Sequence, residues 1–173
     1  MDTKIKKFLE SEKIKFLIAE HRKVYTAFNA AETQHVKSNE VVKTVLVKLS
    51  NTDFVLVAVP AGKRIDLKKI AKAINAQAAT NHKLLVKEHP KLKKPKVVTA
   101  KLGSEKDITN KLKTKVGLIS PFSQVYGLML LLDKKLLKNK SLLISGGSYT
   151  ESVKVKTSDF VKHMVGIQGK FTE

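Results

Sequence analysis

The sequence predicts an α/β fold, a single compact domain built on a mixed β-sheet, and three observations carry that expectation. Helical and extended patterns alternate along the chain, an order that leads to helices packed on a sheet. Two valine-rich runs, Val41 to Leu49 and Phe54 to Val59, flank the turn residues Ser50-Asn51-Thr52-Asp53 and read as a hairpin. A chain of 173 residues is long enough for one core that buries roughly 70% of the surface exposed when unfolded, so a second core is not required.

Taken in order, Ile5, Phe8 and Leu9 are spaced for one face of a short N-terminal helix, and Phe16-Leu17-Ile18-Ala19 reads as a strand. Thr26 can cap a helix reaching about His35, in which Ala27, Ala30 and Ala31 are small helix formers. Pro60-Ala61-Gly62 ends the hairpin's second strand, and Asp66 caps a helix carrying Leu67, Ile70, Ala71 and Ile74 on one side. From Lys83 to Lys101 the composition becomes basic and loop-like, with Pro90, Pro95 and a single acid, Glu88. Ser104 to Asp107 resembles a capping box before a helix with Ile108 and Leu112. Strands are expected near Gly127 to Leu132, Leu142 to Ser145 and Val153 to Val155, with a Gly146-Gly147 turn and a closing helix near Asp159 to Val165.

The first hairpin strand holds an anomaly. At period two, Val41, Lys43, Val45, Val47 and Leu49 share one face, which places an ammonium among core-directed side chains. Burying a cation alone is costly, so either the strand end is wet and Lys43 snorkels outward, or the position receives an anion or an electron-rich carbonyl.

Charge is the dominant global signal: 34 Lys+Arg against 15 Asp+Glu give a net +19. Such a surplus attracts polyanions, either nucleic acid or an anionic membrane surface, although a lysine-rich solvated surface is the plain alternative. The longest apolar segment, Val125 to Leu132, is far short of the roughly 20 residues that span a bilayer, and no leader pattern opens the chain. Cysteine is absent, which excludes disulfides, thiolate nucleophiles and cysteine metal sites and fits a reducing cytoplasm.

Conventional catalytic sets are missing. The chain has no G-x-x-x-x-G-K-[ST], G-x-G-x-x-G or H-E-x-x-H, and Ser145-Gly146-Gly147-Ser148 and Ser120-Pro121 are not nucleophile elbows. Histidines 21, 35, 82, 89 and 163 lack ligand spacing, so no metal and no cofactor are expected. An enzyme with this inventory is expected to act on an already reactive substrate, where positioning and backbone donors suffice; an aminoacyl ester on transfer RNA, with its neighbouring ribose hydroxyl, is one. Val116 to Phe122 is a second candidate element, because Gly117 permits close backbone approach and Pro121 stiffens the chain after it.

Five segments stand in one order: Glu20-His21 before Val24-Tyr25-Thr26; Val41-Val42-Lys43-Thr44-Val45-Leu46-Val47; Arg64-Ile65-Asp66-Leu67-Lys68-Lys69-Ile70-Ala71; Gly117-Leu118-Ile119-Ser120-Pro121; and Ser145-Gly146-Gly147-Ser148. Together they resemble the YbaK/ProX family of aminoacyl-tRNA deacylases, the editing domains associated with prolyl-tRNA synthetases. The resemblance implies a mixed, barrel-like sheet surrounded by helices and hydrolytic removal of a wrongly attached amino acid from transfer RNA. It makes Lys43 the required lysine, holding the terminal phosphate or carbonyl. It makes Gly117, Leu118, Ile119, Ser120 and Pro121 the pocket loop, with its backbone facing the aminoacyl group. Tyr25, Thr26, Thr44, Gly146, Gly147 and Ser148 complete the implied substrate site.

Three departures qualify the resemblance. Arg22 comes after the early histidine, where the family often has proline. Leu118 replaces a frequent second glycine, where φ above zero becomes unfavourable. The segment at about 83–95 looks like an insertion, whose Lys83, Lys87, Lys91, Lys93 and Lys94 form either a transfer-RNA backbone clamp or a solvated loop. Lys43-Thr44 and Ser120-Pro121 resemble the cysteinyl-tRNA-directed YbaK branch more than the alanine-directed one. Expected partners are therefore mischarged transfer RNA and prolyl-tRNA synthetase, with no membrane; a noncatalytic RNA-binding module on the same fold is the alternative, motivated by Leu118.

Overall fold

Asp2 opens helix α1 (Thr3–Ser11) by accepting from the amides of Lys4 and Ile5, and the Ile5 and Leu9 face is buried. Strand β1 (Phe16–Glu20) leads to α2 (Ala27–Thr33), whose first turn is closed by the Thr26 hydroxyl accepting from Asn29 N at 3.1 Å. The valine-rich runs become β2 (Val42–Leu49) and β3 (Phe54–Pro60), and Asp66 caps α3 (Leu67–Leu85). A short β4 (Ala100–Leu102) precedes α4 (Glu105–Leu112), which carries the expected Ser104/Asp107 capping box. Then come β5 (Met129–Asp133), β6 (Ser141–Ser145), β7 (Glu151–Lys156), α5 (Thr157–His163) and β8 (Gly166–Gly169), with 3-10 turns at Ser123–Tyr126 and Leu136–Lys138. The computed structural model describes residues 1–91 and 93–173; Leu92, in the Lys-rich stretch, lies outside them.

The strands form two sheets. One has the order β4-β2-β3-β5-β8, antiparallel from β4 to β3 and parallel from β3 to β8, so the expected mixed sheet is present. The other, β1-β7-β6, is antiparallel throughout. They do not close into one barrel. β6 meets the start of β2 at a single parallel bridge, Val41 to Leu143, where Leu143 N donates to Glu40 O at 2.9 Å.

Period-two alternation divides the central hairpin between two cores. Val42, Leu46, Leu56 and Ala58 face the second sheet's Leu142, Ile144, Val153 and Val155, with α1, α4 and α5 closing that core. Val47, Leu49, Val55, Val57 and Val59 face Ile70 of α3, together with Val98 and Phe171. Lys43 belongs to this second face by register, one step beyond Val45 at the strand end.

Three elements differ from expectation. Helix α3 runs through Lys83 to Leu85, because nothing breaks it before Pro90, while Leu84 and Leu85 are exposed and leave no amphipathic signal there. Strand β4 emerges from the basic stretch because β2 supplies an edge at Val47 to Leu49, and Gly103 N donates to Leu46 O at 2.9 Å. Strand β8 is bracketed by glycines, the composition of a turn; a Cβ on Gly166 would sit 1.8 Å from Leu130 O, so close approach to β5 requires glycine.

One aromatic row anchors the loop that enters β5. Phe122 is buried between Phe8 and Phe160, with ring centroids 5.5 and 5.6 Å away. We expect Phe122→Ala to destabilise the protein by about 3–5 kcal/mol in urea unfolding; a loss under about 1 kcal/mol would contradict this anchoring.

Candidate active site

Pairing along β2 is asymmetric. β3 accompanies it from Val42 to Lys48, but β4 lies on its other side only from Val47 to Leu49. The free edge between Val42 and Val45 borders a cavity of about 430 Å³, closed by the start of α2, the approach to α4, residues of the Val116 to Ile119 loop, β6 and Ser152 of β7.

Tyr25, Thr26, Lys43, Thr44, Gly117, Ile119 and Ser148 line this cavity. Four separate segments of the chain thus meet at one cavity. Gly117 adopts φ +83°, and a Cβ there would lie 2.4 Å from the Tyr25 carbonyl oxygen. The loop is also held from the other side, where the Tyr149 hydroxyl donates to Val116 O at 3.1 Å and the Tyr149 ring packs on Tyr25 with centroids 5.0 Å apart. Left-handed backbone therefore falls on the glycine, while Leu118 keeps a negative φ, and the departure at Leu118 carries no strain.

The rest of the loop does not face the cavity. Ser120 and Pro121 are buried as the chain turns inward toward Phe122, and Ser120 N donates to the Tyr126 hydroxyl at 3.2 Å. Burial pushes that phenol above its ordinary pKa. Leu118 N donates to Lys115 O at 3.1 Å; Val116, Gly117 and Ile119 of this loop line the cavity, and the Gly117 and Ile119 amides have no protein acceptor among the described residues. Gly146 and Gly147 also lie outside the lining. They receive α1 instead: Asp2 N donates to Gly146 O at 2.7 Å, and a Cβ on Gly147 would meet Asp2 Cβ at 2.6 Å. Lys83, Lys87, Lys91, Lys93 and Lys94 are exposed and do not border the cavity.

Lys43 is half-buried at the rim, and its ammonium donates to the Lys63 carbonyl. The electron-rich carbonyl that its position calls for is thus main chain, from the turn after β3. Burial, and then the neighbouring Arg64 charge, hold its pKa below the usual lysine value. Both causes penalise a second cation, so an anion placed here is favoured. On the inner side Thr44 lines the cavity with its buried hydroxyl unpartnered among the described residues.

Two lining residues had no role in the sequence reading, His21 and Ser152. His21 Nε2 lies 3.0 Å from Ser152 Oγ, and its Nδ1 lies 2.9 Å from Arg22 O. The two residues are 131 positions apart, so no local motif could join them; the available signal was the Glu20-His21 pair among the segments that carry the family resemblance. Among the described residues no three His, Asp or Glu side chains cluster as a metal site would require.

The family model described as aminoacyl-tRNA editing domain matches residues 21–97 and 91–163. The chain belongs to that family. Solved structures share its fold. The editing domain aligns with a hypothetical protein at TM-score 0.78 and 17% identity, over 98% of this chain and 99% of the other. A structure described as a candidate trans-editing enzyme for prolyl-tRNA synthetase aligns at TM-score 0.73 and 15% identity, over 100% and 99% of the two chains. A scaffold protein used for epitope grafting aligns at 0.73 and 16%, over 98% and 95%. No curated protein matches the editing domain in sequence. No helix among its described residues is long and apolar enough to cross a membrane.

Gly117 makes the most specific demand on the site. Gly117→Ala should cost at least about 1–2 kcal/mol in thermal or urea unfolding, because both left-handed φ and the Tyr25 carbonyl oppose a Cβ. Unchanged stability would contradict the loop placement.

Proposed function

We propose that this editing domain is a trans-acting aminoacyl-tRNA deacylase that hydrolyses the ester between a wrongly attached amino acid and the terminal ribose. The observation that carries the reading is the convergence of Lys43, Thr44, Gly117 and Ile119 on one cavity. Family membership supports it. So does the +19 charge, which attracts the phosphate backbone of transfer RNA.

The aminoacyl group enters the cavity beside the free edge of β2. Its ester carbonyl oxygen turns to the Gly117 and Ile119 amides, which are fixed donors for the negative charge that develops when water adds. Lys43 leaves the Lys63 carbonyl and takes the terminal phosphate, an exchange favoured because a charged partner replaces a neutral one. Arg64 adds a second cation at that end. Apolar walls from Val41, Val42, Ile108, Ile119 and Ile144 suit a small, uncharged side chain. Cysteine on proline-accepting transfer RNA is the preferred substrate, with alanine and proline as the other candidates. Prolyl-tRNA synthetase is the proposed accompanying enzyme. In this reading the exposed Lys83, Lys87, Lys91, Lys93 and Lys94 bind transfer-RNA backbone rather than the ester.

The direct test is amino-acid release from transfer RNA charged with cysteine, alanine or proline. Lys43→Ala should reduce kcat/KM at least about 100-fold with unchanged circular dichroism and Tm; unchanged turnover would contradict the proposal. The depressed Lys43 pKa adds a pH signature. Phosphate binding needs the ammonium, so kcat/KM should fall as pH rises through that lowered value, once uncatalysed hydrolysis is subtracted. Arg64→Ala removes a repelling charge and should move the basic limb to higher pH. A limb that stays in place would exclude Lys43 as its source.

A further inference from the structure

A histidine whose two ring nitrogens are both engaged reveals its tautomer through its partners. The Arg22 carbonyl can only accept, so His21 Nδ1 carries a proton and donates to it at 2.9 Å. In the neutral ring Nε2 is then a bare lone pair, and it faces Ser152 Oγ at 3.0 Å. Ser152 is in turn oriented by Gln34, whose Nε2 donates to the same hydroxyl oxygen at 3.3 Å. A serine hydroxyl has one proton and two lone pairs. Its proton goes to His21 and one lone pair to Gln34, so the second lone pair is left without a protein donor, on a residue that lines the cavity.

We infer that Ser152 and His21 form a proton-accepting pair that activates the hydrolytic water inside this cavity. The inference rests on the deacylase reading and gives the site a base from residues that neither motif nor family match assigns. Water donates one hydrogen bond to Ser152 Oγ and attacks the ester carbonyl carbon. As the new C–O bond forms, the water proton passes to Ser152 Oγ while the serine proton passes to His21 Nε2. The tetrahedral oxyanion remains on the Gly117 and Ile119 amides. When it collapses, the bond to the ribose oxygen breaks, and the proton returns from His21 through Ser152 to that oxygen. Free amino acid and a transfer RNA with its hydroxyl restored leave, and the pair is neutral again. The Arg22 carbonyl does for the imidazole what a carboxylate does in a catalytic triad, fixing tautomer and ring orientation without adding charge. Charged or titratable side chains around the ring are Glu20, Arg22, Glu32 and His35 in the cleft behind it, and Lys43 and Glu105 in the cavity.

Two measurements test the pair. Imidazole nitrogen NMR on the wild-type protein should find neutral His21 protonated at Nδ1 and bare at Nε2; a proton on Nε2 overturns the inference whatever the substrate. The second measurement is single-turnover release of cysteine, alanine or proline from charged transfer RNA by Ser152→Ala and His21→Asn. The asparagine can keep a donor for the Arg22 carbonyl but lacks Nε2. Each variant should lose about 100-fold in kcat with KM and Tm held. Wild-type turnover with both variants within about threefold overturns the pair alone. A wild-type protein that releases none of the three amino acids overturns the deacylase reading, and the pair with it.

Discussion

The constraint on which this architecture turns is that β2 has a full partner on one side and a partial one on the other. A strand edge inside a protein leaves main-chain groups that must find partners, and proteins normally cover or pair such edges. Here β3 satisfies one edge from Val42 to Lys48, while β4 reaches the other only at Val47 to Leu49 and β6 touches it at Val41. Between those two contacts the sheets part. The resulting gap is the cavity, and the residues beside it are poised because β2 and β3 are locked into cores on both faces. One edge of a rigid strand thus supplies shape, polar backbone and a cation at once.

Around that gap the protein places groups whose needs it meets incompletely. Lys43 is partly desolvated and beside another cation, and its ammonium rests on a neutral carbonyl. The Thr44 hydroxyl has no partner among the described residues. Groups left in this state are destabilising on their own and are better satisfied by an anionic, hydrogen-bonding ligand than by an apolar one. The opposite wall is more settled, since Ser152 and His21 complete each other and take their orientation from Gln34 and the Arg22 carbonyl.

Much of this fold was legible from local chemistry. Asp66, Thr26 and the Ser104/Asp107 box announce helix starts because side chain and amide lie within three residues of each other. The hairpin of β2 and β3 is legible because period-two valines and an intervening turn are contiguous. What was lost depended on a surface elsewhere. β4 and β8 are strands because edges of β2 and β5 await them, while their own residues read as basic loop or turn. In the site, Lys43 and Gly117 were legible as anomalies, a cation among valines and a glycine before a buried Ser-Pro. Ser120 and Pro121 were assigned to the pocket because their neighbours belong there, yet the chain turns inward at Ser120. Gly146 and Gly147 looked like a ligand loop because a close backbone approach leaves the same residue type whether the partner is a substrate or, as here, α1. His21 and Ser152 could not be paired from sequence, since cross-strand contact depends on the register of β1 against β7.

The central claim is that the gap beside β2 receives the aminoacyl end of a transfer RNA. It is tested most directly by a crystal structure with an adenosine bearing an amino acid through a non-hydrolysable 3′-amide. The account predicts the amino-acid side chain inside the cavity, the carbonyl oxygen within hydrogen-bond distance of the Gly117 or Ile119 amide, and the Lys43 ammonium turned from the Lys63 carbonyl toward the nucleotide. An analogue bound elsewhere, or seated in the cavity with its carbonyl facing away from those amides, would contradict it.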